Sequence, residues 1–321
     1  MSLTTLFRLI LVSGGLLALA ACRSEATPIA PVAVSVEVTQ PPRSTPLPAV
    51  PTVIPPGAEG NAIRMAIRAV GPAADAASAA ADLEAALLER AGLIVEVQLV
   101  ERYAEGLAAL CGSAGGQVAA AWLNAPTYAA ARAQNCGFPA LQVERDGATG
   151  MAGSIIVSAG SRQQGLQQLS GSTFCRLGYD DFYSWLAPSL VIRANGLQPS
   201  NTPLEIEEQE NISALIEAVA VGDCDAAAVP ADAAEEADSV KVIETTIPFP
   251  YAVLMLPVEM PLGQRQALVD TLTAIAGDST EAVTLRSLLA QDELQPATVD
   301  DFDDLMDFFT STGLDFAQLG S

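Results

Sequence analysis

From residue 62 to residue 276, the apolar residues alternate between the short period of strands and the longer period of helices. This alternation predicts an α/β fold with right-handed crossover connections. A second α/β unit begins near residue 154, and the last predicted strand returns to the first unit. The predicted strands are 62–70, 93–99, 117–122, 154–158, 174–177, 204–207, 226–229 and 247–256, and the predicted helices are 73–91, 103–111, 125–134, 185–195, 212–221 and 262–276.

The remaining stretch, residues 280–319, is predicted to be helical and is rich in aspartate. Its acidic side chains are expected to form a solvated face, and a binding surface is the alternative. The aspartates concerned are Asp300, Asp301, Asp303, Asp304 and Asp307.

The first 22 residues have the pattern of a lipoprotein signal peptide. Arg8 precedes an apolar run, residues 9–21, which is shorter than the roughly 20 residues of a membrane-spanning helix, the alternative interpretation. Leu19-Ala20-Ala21 before Cys22 suits a lipoprotein signal peptidase. We expect residues 1–21 to be removed and the Cys22 thiol to be lipidated. This lipid would hold the protein to the outer side of the cytoplasmic membrane, facing the periplasm or the cell exterior.

Residues 22–60 contain nine prolines and cannot bury a core. Proline favours an extended chain of about 3 Å per residue, so this segment is predicted to be a semi-stiff tether. A disordered tail is the alternative. The roughly 260 residues that follow are enough for one large domain or two lobes.

The formal net charge is -23, with Lys241 as the only lysine. This charge argues against nucleic acid or an anionic membrane surface as partners. The chain has no histidine, which excludes serine or cysteine catalysis through a histidine and removes the commonest zinc ligand. The adjacent pair Asp180-Asp181 is the remaining acid and base candidate, but neighbouring residues seldom face one substrate atom. We therefore expect no enzyme activity, no cofactor and no metal.

Four cysteines remain beside Cys22, an even number for an oxidising compartment. Three connectivities are possible. We favour Cys111 with Cys136 and Cys175 with Cys224, because each pair then lies within one α/β unit.

Several motifs follow one another in a characteristic order. They are Tyr103–Cys111, residues 120–128, residues 154–158 with 166–171, Phe174-Cys175-Arg176 with residues 185–188, and Ala218-Val219 with residues 222–226. In the order and spacing of these motifs, the chain resembles the periplasmic binding proteins of the phosphate, phosphite and phosphonate type, which serve ABC importers. The resemblance implies a two-lobed type 2 periplasmic-binding-protein fold, with two α/β lobes joined by two hinge strands. Residues 61–151 and 245–321 would form one lobe and residues 152–244 the other, in a monomer that binds a small-molecule solute and ABC permease subunits.

The chain departs from similar proteins at the ligand site. They hold an anion at a Ser-Thr-Ser-Gly turn that starts a helix, where this chain has residues 180–184, Asp-Asp-Phe-Tyr-Ser. A carboxylate at this helix start would cap the helix but repel an anion. Similar proteins have a histidine at the start of a later helix, where this chain has Ile212. They also have an acidic residue near the last predicted strand, where this chain has Phe249. Asp232 is expected to lie near another acidic position of the family.

The expected ligand contacts are mostly aromatic or weakly polar. Rings beside a carboxylate favour a cation or an amphipathic molecule. The alternative is that Phe182 and Trp185 pack inside a lobe, that Asp180 or Asp181 only caps the helix, and that Tyr103 and Tyr128 support the hinge. The expected contacts are Tyr103, Asn124, Tyr128, Asp181, Phe182, Tyr183, Ser184, Asp232 and Phe249.

Two functions follow from this reading. The first is a solute-binding lipoprotein of an ABC importer, whose lobes close on a ligand. The second is a sensor or interaction module on the same fold.

Overall fold

The computed structural model describes residues 54–179, 181–197 and 205–318. The predicted signal peptide, the lipidation site Cys22, the tether as far as residue 53, and Asp180 lie outside the described residues. Within them, no helix has both the length and the apolar character needed to cross a membrane.

Strands account for two large sheets and one short ladder. In chain order they are β1 (Ile63–Ile67), β2 (Val95–Leu99), β3 (Ala119–Leu123), β4 (Gly137–Glu144), β5 (Gly150–Met151), β6 (Gly153–Ser158), β7 (Thr173–Arg176), β8 (Glu205–Glu208), β9 (Ala226–Pro230), β10 (Val240–Thr245), β11 (Phe249–Pro250), β12 (Val253–Pro257) and β13 (Glu293–Pro296).

Helices cover the faces of both large sheets. They are α1 (Ala73–Ala91), α2 (Tyr103–Cys111), α3 (Ala125–Ala133), α4 (Ala187–Ala194), α5 (Ile212–Val221), α6 (Ala231–Glu235), α7 (Leu262–Gly277), α8 (Ala282–Leu289) and α9 (Asp303–Ser311). A π-helical turn, Phe182–Leu186, leads into α4, and short 3-10 turns lie at Leu166–Leu169, Asp300–Phe302 and Phe316–Gln318.

The first lobe is built on a six-stranded sheet in the order β13-β4-β12-β3-β1-β2. Strand β1 runs parallel to β2 and β3, whereas β12 is antiparallel to both β3 and β4. One apolar cluster under α1, α7 and α8 covers one face, and a second cluster under α2, α3 and α9 covers the other. The core therefore lies on both sides of this sheet.

The second lobe is built on a five-stranded sheet in the order β10-β6-β9-β7-β8. Strand β7 is parallel to β8 and β9, and β6 is antiparallel to β9 and β10. Helix α5 covers one face, and α4 with the Leu166–Leu169 turn covers the other. The prediction of two α/β units is thus confirmed.

The chain passes between the lobes twice, and the two passages pair with each other. Strand β5 is antiparallel to β11, with Pro250 opposite Gly150. A Cβ atom on Gly150 would lie 2.5 Å from the carbonyl oxygen of Phe249, so this close approach requires glycine. We call β5 and β11 the hinge ladder.

Both disulfides are present in the predicted pairing. Cys111 is bonded to Cys136, with Cα atoms 4.7 Å apart, and joins the end of α2 to the segment after α3. Cys175 is bonded to Cys224, with Cα atoms 5.9 Å apart, and lies inside the second lobe. Each bond therefore staples one lobe internally.

Three sequence predictions need correction. Residues 280–319 are not all helical, because β13 pairs with β4 and buries Leu294 between the less buried Glu293 and Gln295. The predicted strand 247–256 is two strands, since the prolines on either side of Phe249 cannot donate to a ladder. The helix predicted at 185–195 starts earlier, at the Phe182–Leu186 turn.

Besides β13 and the two-residue β5, two strands were not predicted. They are β4, which contains Pro139, and β10, which contains Lys241 and Glu244. Both end next to a passage between the lobes, so they determine where the hinge ladder begins. The five C-terminal aspartates are exposed, as expected of a solvated face.

Candidate functional site

A cavity of about 150 Å³ lies between the two lobes beside the hinge ladder. The residues that line it from the first lobe lie just after β1, β3 and β4 or at the start of α2. Those that line it from the second lobe belong to the Phe182–Leu186 turn. Ligand sites of α/β sheets form at such strand ends. We call this cavity the cleft. It is lined by Arg68, Val70, Tyr103, Asn124, Arg145, Phe182, Tyr183, Pro250 and Tyr251.

Arg68 follows β1, and its side chain is held by a hydrogen bond to the backbone and by an aromatic ring. Its Nε donates a hydrogen bond of 3.0 Å to the backbone oxygen of Glu101. Its guanidinium carbon lies 5.3 Å from the centre of the Tyr103 ring, within the range of a cation–π contact. These contacts orient the guanidinium and leave its charge unneutralised.

Arg145 follows β4 and is held in a similar way. Its Nη2 donates a hydrogen bond of 2.8 Å to the backbone oxygen of Leu289, and its guanidinium lies 4.3 Å from the centre of the Tyr251 ring. Its Nε is buried and has no hydrogen-bond partner among the described residues. A buried N–H donor without a partner destabilises the protein. The Arg145 guanidinium is therefore suited to donate a hydrogen bond to an acceptor of a ligand.

Neither cleft arginine forms an ion pair with a carboxylate of the described residues. The ion pairs within the described part of the chain are formed by other arginines: Arg90 with Asp278 and Glu281, Arg102 with Glu105, and Arg176 with Glu208. The two cleft arginines therefore have no ion-pair partner within the described part of the chain, and their positive charge favours an anion.

Tyr183 belongs to the second lobe, and its hydroxyl interacts electrostatically with cleft residues of the first lobe. Burial raises the pKa of its hydroxyl well above the usual value, with further upward contributions from Tyr251, Tyr103 and Asp181, while Arg145 lowers it. Burial also raises the pKa of Tyr251, against the opposing effect of Arg145. Both phenols therefore stay protonated at neutral pH and can donate to an anionic ligand.

Asp181 does not line the cleft. Its Oδ1 accepts a hydrogen bond of 2.7 Å from the backbone N–H of Ser184, so the carboxylate caps the turn. Ser184 is buried, and its Oγ accepts the backbone N–H of Leu177 at 3.0 Å. The expectation of a cation depended on Asp181, whereas the charged side chains that line the cleft are Arg68 and Arg145.

The other predicted ligand residues lie elsewhere. Tyr128 and Phe249 are fully buried in the first-lobe core and contact Phe302 and Phe182, respectively. Asp232 is exposed at the start of α6, where its charge helps to raise the pKa of Tyr251. Of the nine predicted contacts, the cleft contains Tyr103, Asn124, Phe182 and Tyr183.

Sequence reasoning missed Arg68, Arg145 and Tyr251. Arg68 lies inside the predicted strand 62–70, whereas β1 ends at Ile67, and Arg145 follows the unpredicted β4. A usable signal was present, because an arginine just after a strand, in a chain this acidic, is a candidate anion ligand.

One cluster has the composition of a metal site but not its chemistry. Ligand atoms of Cys175, Glu207 and Cys224 lie within 4.8 Å of one another. Both sulfurs are used in the disulfide, so no thiolate is available there. This cluster therefore supports no metal.

Two α/β lobes, two paired passages between them and a cleft at the strand ends define a type 2 periplasmic binding protein. The model of one family, described as the periplasmic substrate-binding protein of phosphonate ABC transporters, matches residues 66–302. The chain belongs to this family, whose members bind solutes outside the cytoplasm for ABC importers.

Solved structures share the fold at low identity. XAC2383 from Xanthomonas citri, bound to ATP, has a TM-score of 0.59 and 16% identity, covering 78% of this chain and 96% of that one. A binding protein component of an ABC phosphonate transporter from Pseudomonas aeruginosa has a TM-score of 0.51 and 18% identity, covering 81% and 88%.

PhnD1 from Prochlorococcus marinus, in complex with methylphosphonate, has a TM-score of 0.52 and 11% identity, covering 78% of this chain and 98% of that one. None of the curated proteins compared with this sequence matches it. The similarity to solved structures therefore establishes the fold, and the ligand has to be inferred from the cleft itself.

Proposed function

We propose that the protein is a lipid-anchored solute-binding component of an ABC importer that captures a small anion. Lipidated Cys22 and the tether of residues 22–60 would hold the two lobes outside the cytoplasmic membrane. The first lobe would comprise residues 61–151 and 245–321, and the second residues 152–244. Family membership supports the role in import, and the sequence pattern before Cys22 supports the anchor.

The observation that carries the choice of an anion is the pair of arginines in the cleft. Arg68 and Arg145 each rest on a tyrosine ring and a backbone carbonyl oxygen, so both guanidiniums are oriented before a ligand arrives. Charge-assisted hydrogen bonds from arginine suit carboxylate, sulfonate, phosphate and phosphonate groups equally well in chemical terms. The methylphosphonate in PhnD1 makes the phosphonates the first class to examine.

The test is calorimetric titration of the mature protein with methylphosphonate, phosphate, methanesulfonate and acetate, with choline as a cationic comparison. We expect at least one anion to bind and choline not to bind. Arg145→Gln and Arg68→Gln should each weaken anion binding about ten- to a hundredfold, the value of a charge-assisted hydrogen bond.

Arg265 offers a matched control outside the cleft. It too lies on an aromatic ring, Phe138 at 4.4 Å, and donates to the backbone oxygens of Met260 and Val258. Arg265→Gln should leave the affinity unchanged. Choline binding, or equal losses in all three variants, would contradict the proposal.

A second candidate, the sensor or interaction module, is favoured by the contacts of α9. Phe308 packs against apolar clusters of both lobes, and Nε of Arg193 in α4 donates a hydrogen bond of 2.9 Å to the backbone oxygen of Thr312. These contacts resist movement of one lobe against the other. Small-angle scattering should show a smaller radius of gyration on ligand binding in a transport protein, whereas an unchanged radius would favour the module.

A further inference from the structure

The two walls of the cleft differ in chemistry. The first-lobe wall has Arg68 and Arg145, each lying on a tyrosine ring, and the amide Asn124, whereas the second-lobe wall consists of Phe182 and Tyr183 among the described lining residues. A ligand enclosed between the lobes therefore meets positive charge on the first-lobe side and uncharged aromatic rings on the second-lobe side.

Apart from the Tyr183 hydroxyl, the turn of the second lobe beside the cleft has few free hydrogen-bond donors for an anionic group. The backbone N–H of Ser184, in the first turn of its helix, is already bonded to the carboxylate of Asp181. The Ser184 hydroxyl is buried and accepts the N–H of Leu177. An anionic group near this turn would also be repelled by Asp181. The charged end of a ligand is therefore expected to face the first lobe.

The rings of the second wall are held in place. Phe182 is edge-on to Tyr183, with centroids 5.1 Å apart and planes at 87°, and edge-on to Phe249 at the same distance and 85°. Phe249 is fully buried, so Phe182 cannot turn away from the cleft without disturbing the core. Fixed rings of this kind favour a flat apolar partner that can pack face to face or edge to face.

We propose that the ligand is a single-ring aromatic anion, with its acidic group on Arg68 and Arg145 and its ring against Phe182 and Tyr183. This inference depends on the anion-binding function proposed above. The volume of about 150 Å³ is below the roughly 300 Å³ at which pockets for drug-sized ligands begin, which selects one ring over a fused system.

The experiment compares ligands that share an acidic group and differ only in the ring. The mature protein is titrated with phenylphosphonate against methylphosphonate, and with benzoate against acetate. In whichever pair binds, we expect the aromatic member to bind at least tenfold more tightly. Equal or tighter binding of the methyl compounds would overturn this inference and leave the anion-binding function intact. Binding by none of the four would overturn both.

Two substitutions assign the preference to the second wall. Phe182→Leu and Tyr183→Leu keep apolar volume and remove the ring, so each should reduce the aromatic preference to about threefold or less. The preference is the ratio of the two affinities within one variant, so a loss that both ligands share cancels, and circular dichroism checks that each variant is folded. A tenfold preference that survives both substitutions would contradict the inference.

Discussion

Phe249 of the hinge ladder stands edge-on to Phe182 of the cleft, with ring centroids 5.1 Å apart. The same Phe249 ring lies 5.5 Å from Phe308 and 6.2 Å from Phe309, both in α9. A continuous series of aromatic contacts thus connects the second wall of the cleft with the C-terminal helix.

Truncation of Phe249 should destabilise the whole fold. Its side chain is fully buried, so Phe249→Ala should lower the free energy of unfolding by about 3 to 5 kcal/mol through lost burial and a cavity. Denaturant titration followed by fluorescence measures this change. Phe249→Leu, which fills most of the space, should cost clearly less. Equal and small losses in both variants would contradict the described packing.

Tyr128 should be replaceable by phenylalanine without loss of stability at pH 7. Its hydroxyl is buried and has no hydrogen-bond partner among the described residues. An unsatisfied buried polar group costs about 1 to 3 kcal/mol, so Tyr128→Phe should be neutral or stabilising in denaturant titrations. A loss of more than about 1 kcal/mol, which is the typical net value of a hydrogen bond, would indicate a partner for the hydroxyl.

The same variant should change the dependence of stability on alkaline pH. Burial raises the pKa of Tyr128 to about 12, with Arg132 lowering it and Asp303 and Asp301 raising it. Between pH 10 and pH 12 the unfolded chain releases this proton before the folded protein does. Stability should therefore fall as pH rises, by at most about 1.4 kcal/mol per unit for one tyrosine. Tyr128→Phe should remove this contribution, and an unchanged slope would contradict the pKa direction.

Both disulfides should contribute substantially to stability. The bonded cysteines are separated by 25 residues in Cys111–Cys136 and by 49 in Cys175–Cys224, for which loop entropy gives about 3 to 4 kcal/mol each. Replacing either pair of cysteines by alanine should lower the free energy of unfolding by about 3 to 4 kcal/mol. Peptide mapping without reductant checks the pairing. Cross-linked peptides joining Cys111 to Cys175 would contradict it.

The lipid anchor has a direct test. Cys22→Ser removes the thiol that would carry the lipid, and we expect the variant to move from the detergent phase to the aqueous phase in phase partitioning. Wild-type protein in the aqueous phase, or a variant still in the detergent phase, would contradict anchoring at Cys22.

Much of the first lobe could be predicted from sequence, because helix-ending residues and the apolar periodicity indicate the same element boundaries. Helix α1 ends where Gly92 adopts a left-handed φ of 64°, and α2 starts at Tyr103 as the apolar period indicates. Strand β4 was missed because Gly137 and Pro139 are poor strand formers and tertiary pairing overrides them.

The cleft was harder to predict than the fold. Asn124 could be placed because residues 120–128 form one of the motifs that carry the family resemblance. In the structure it caps α3, its Oδ1 accepting the N–H of Thr127 at 3.3 Å. The charge of the cleft depends on Arg68 and Arg145, which are distant in sequence and meet only through the topology of the sheet. Asp181 was predicted to contact the ligand, and in the structure its carboxylate caps the turn. A carboxylate that caps a turn and one that faces a ligand have the same sequence signature.

The position of β12 between β3 and β4 sets an order of folding. The second lobe is continuous in sequence from β6 to β10, whereas the sheet of the first lobe lacks an inner strand until residues 253–257 are available. During export from the amino terminus, the second lobe can therefore complete its sheet first. The sheet of the first lobe can thus be completed only after the whole second lobe has become available.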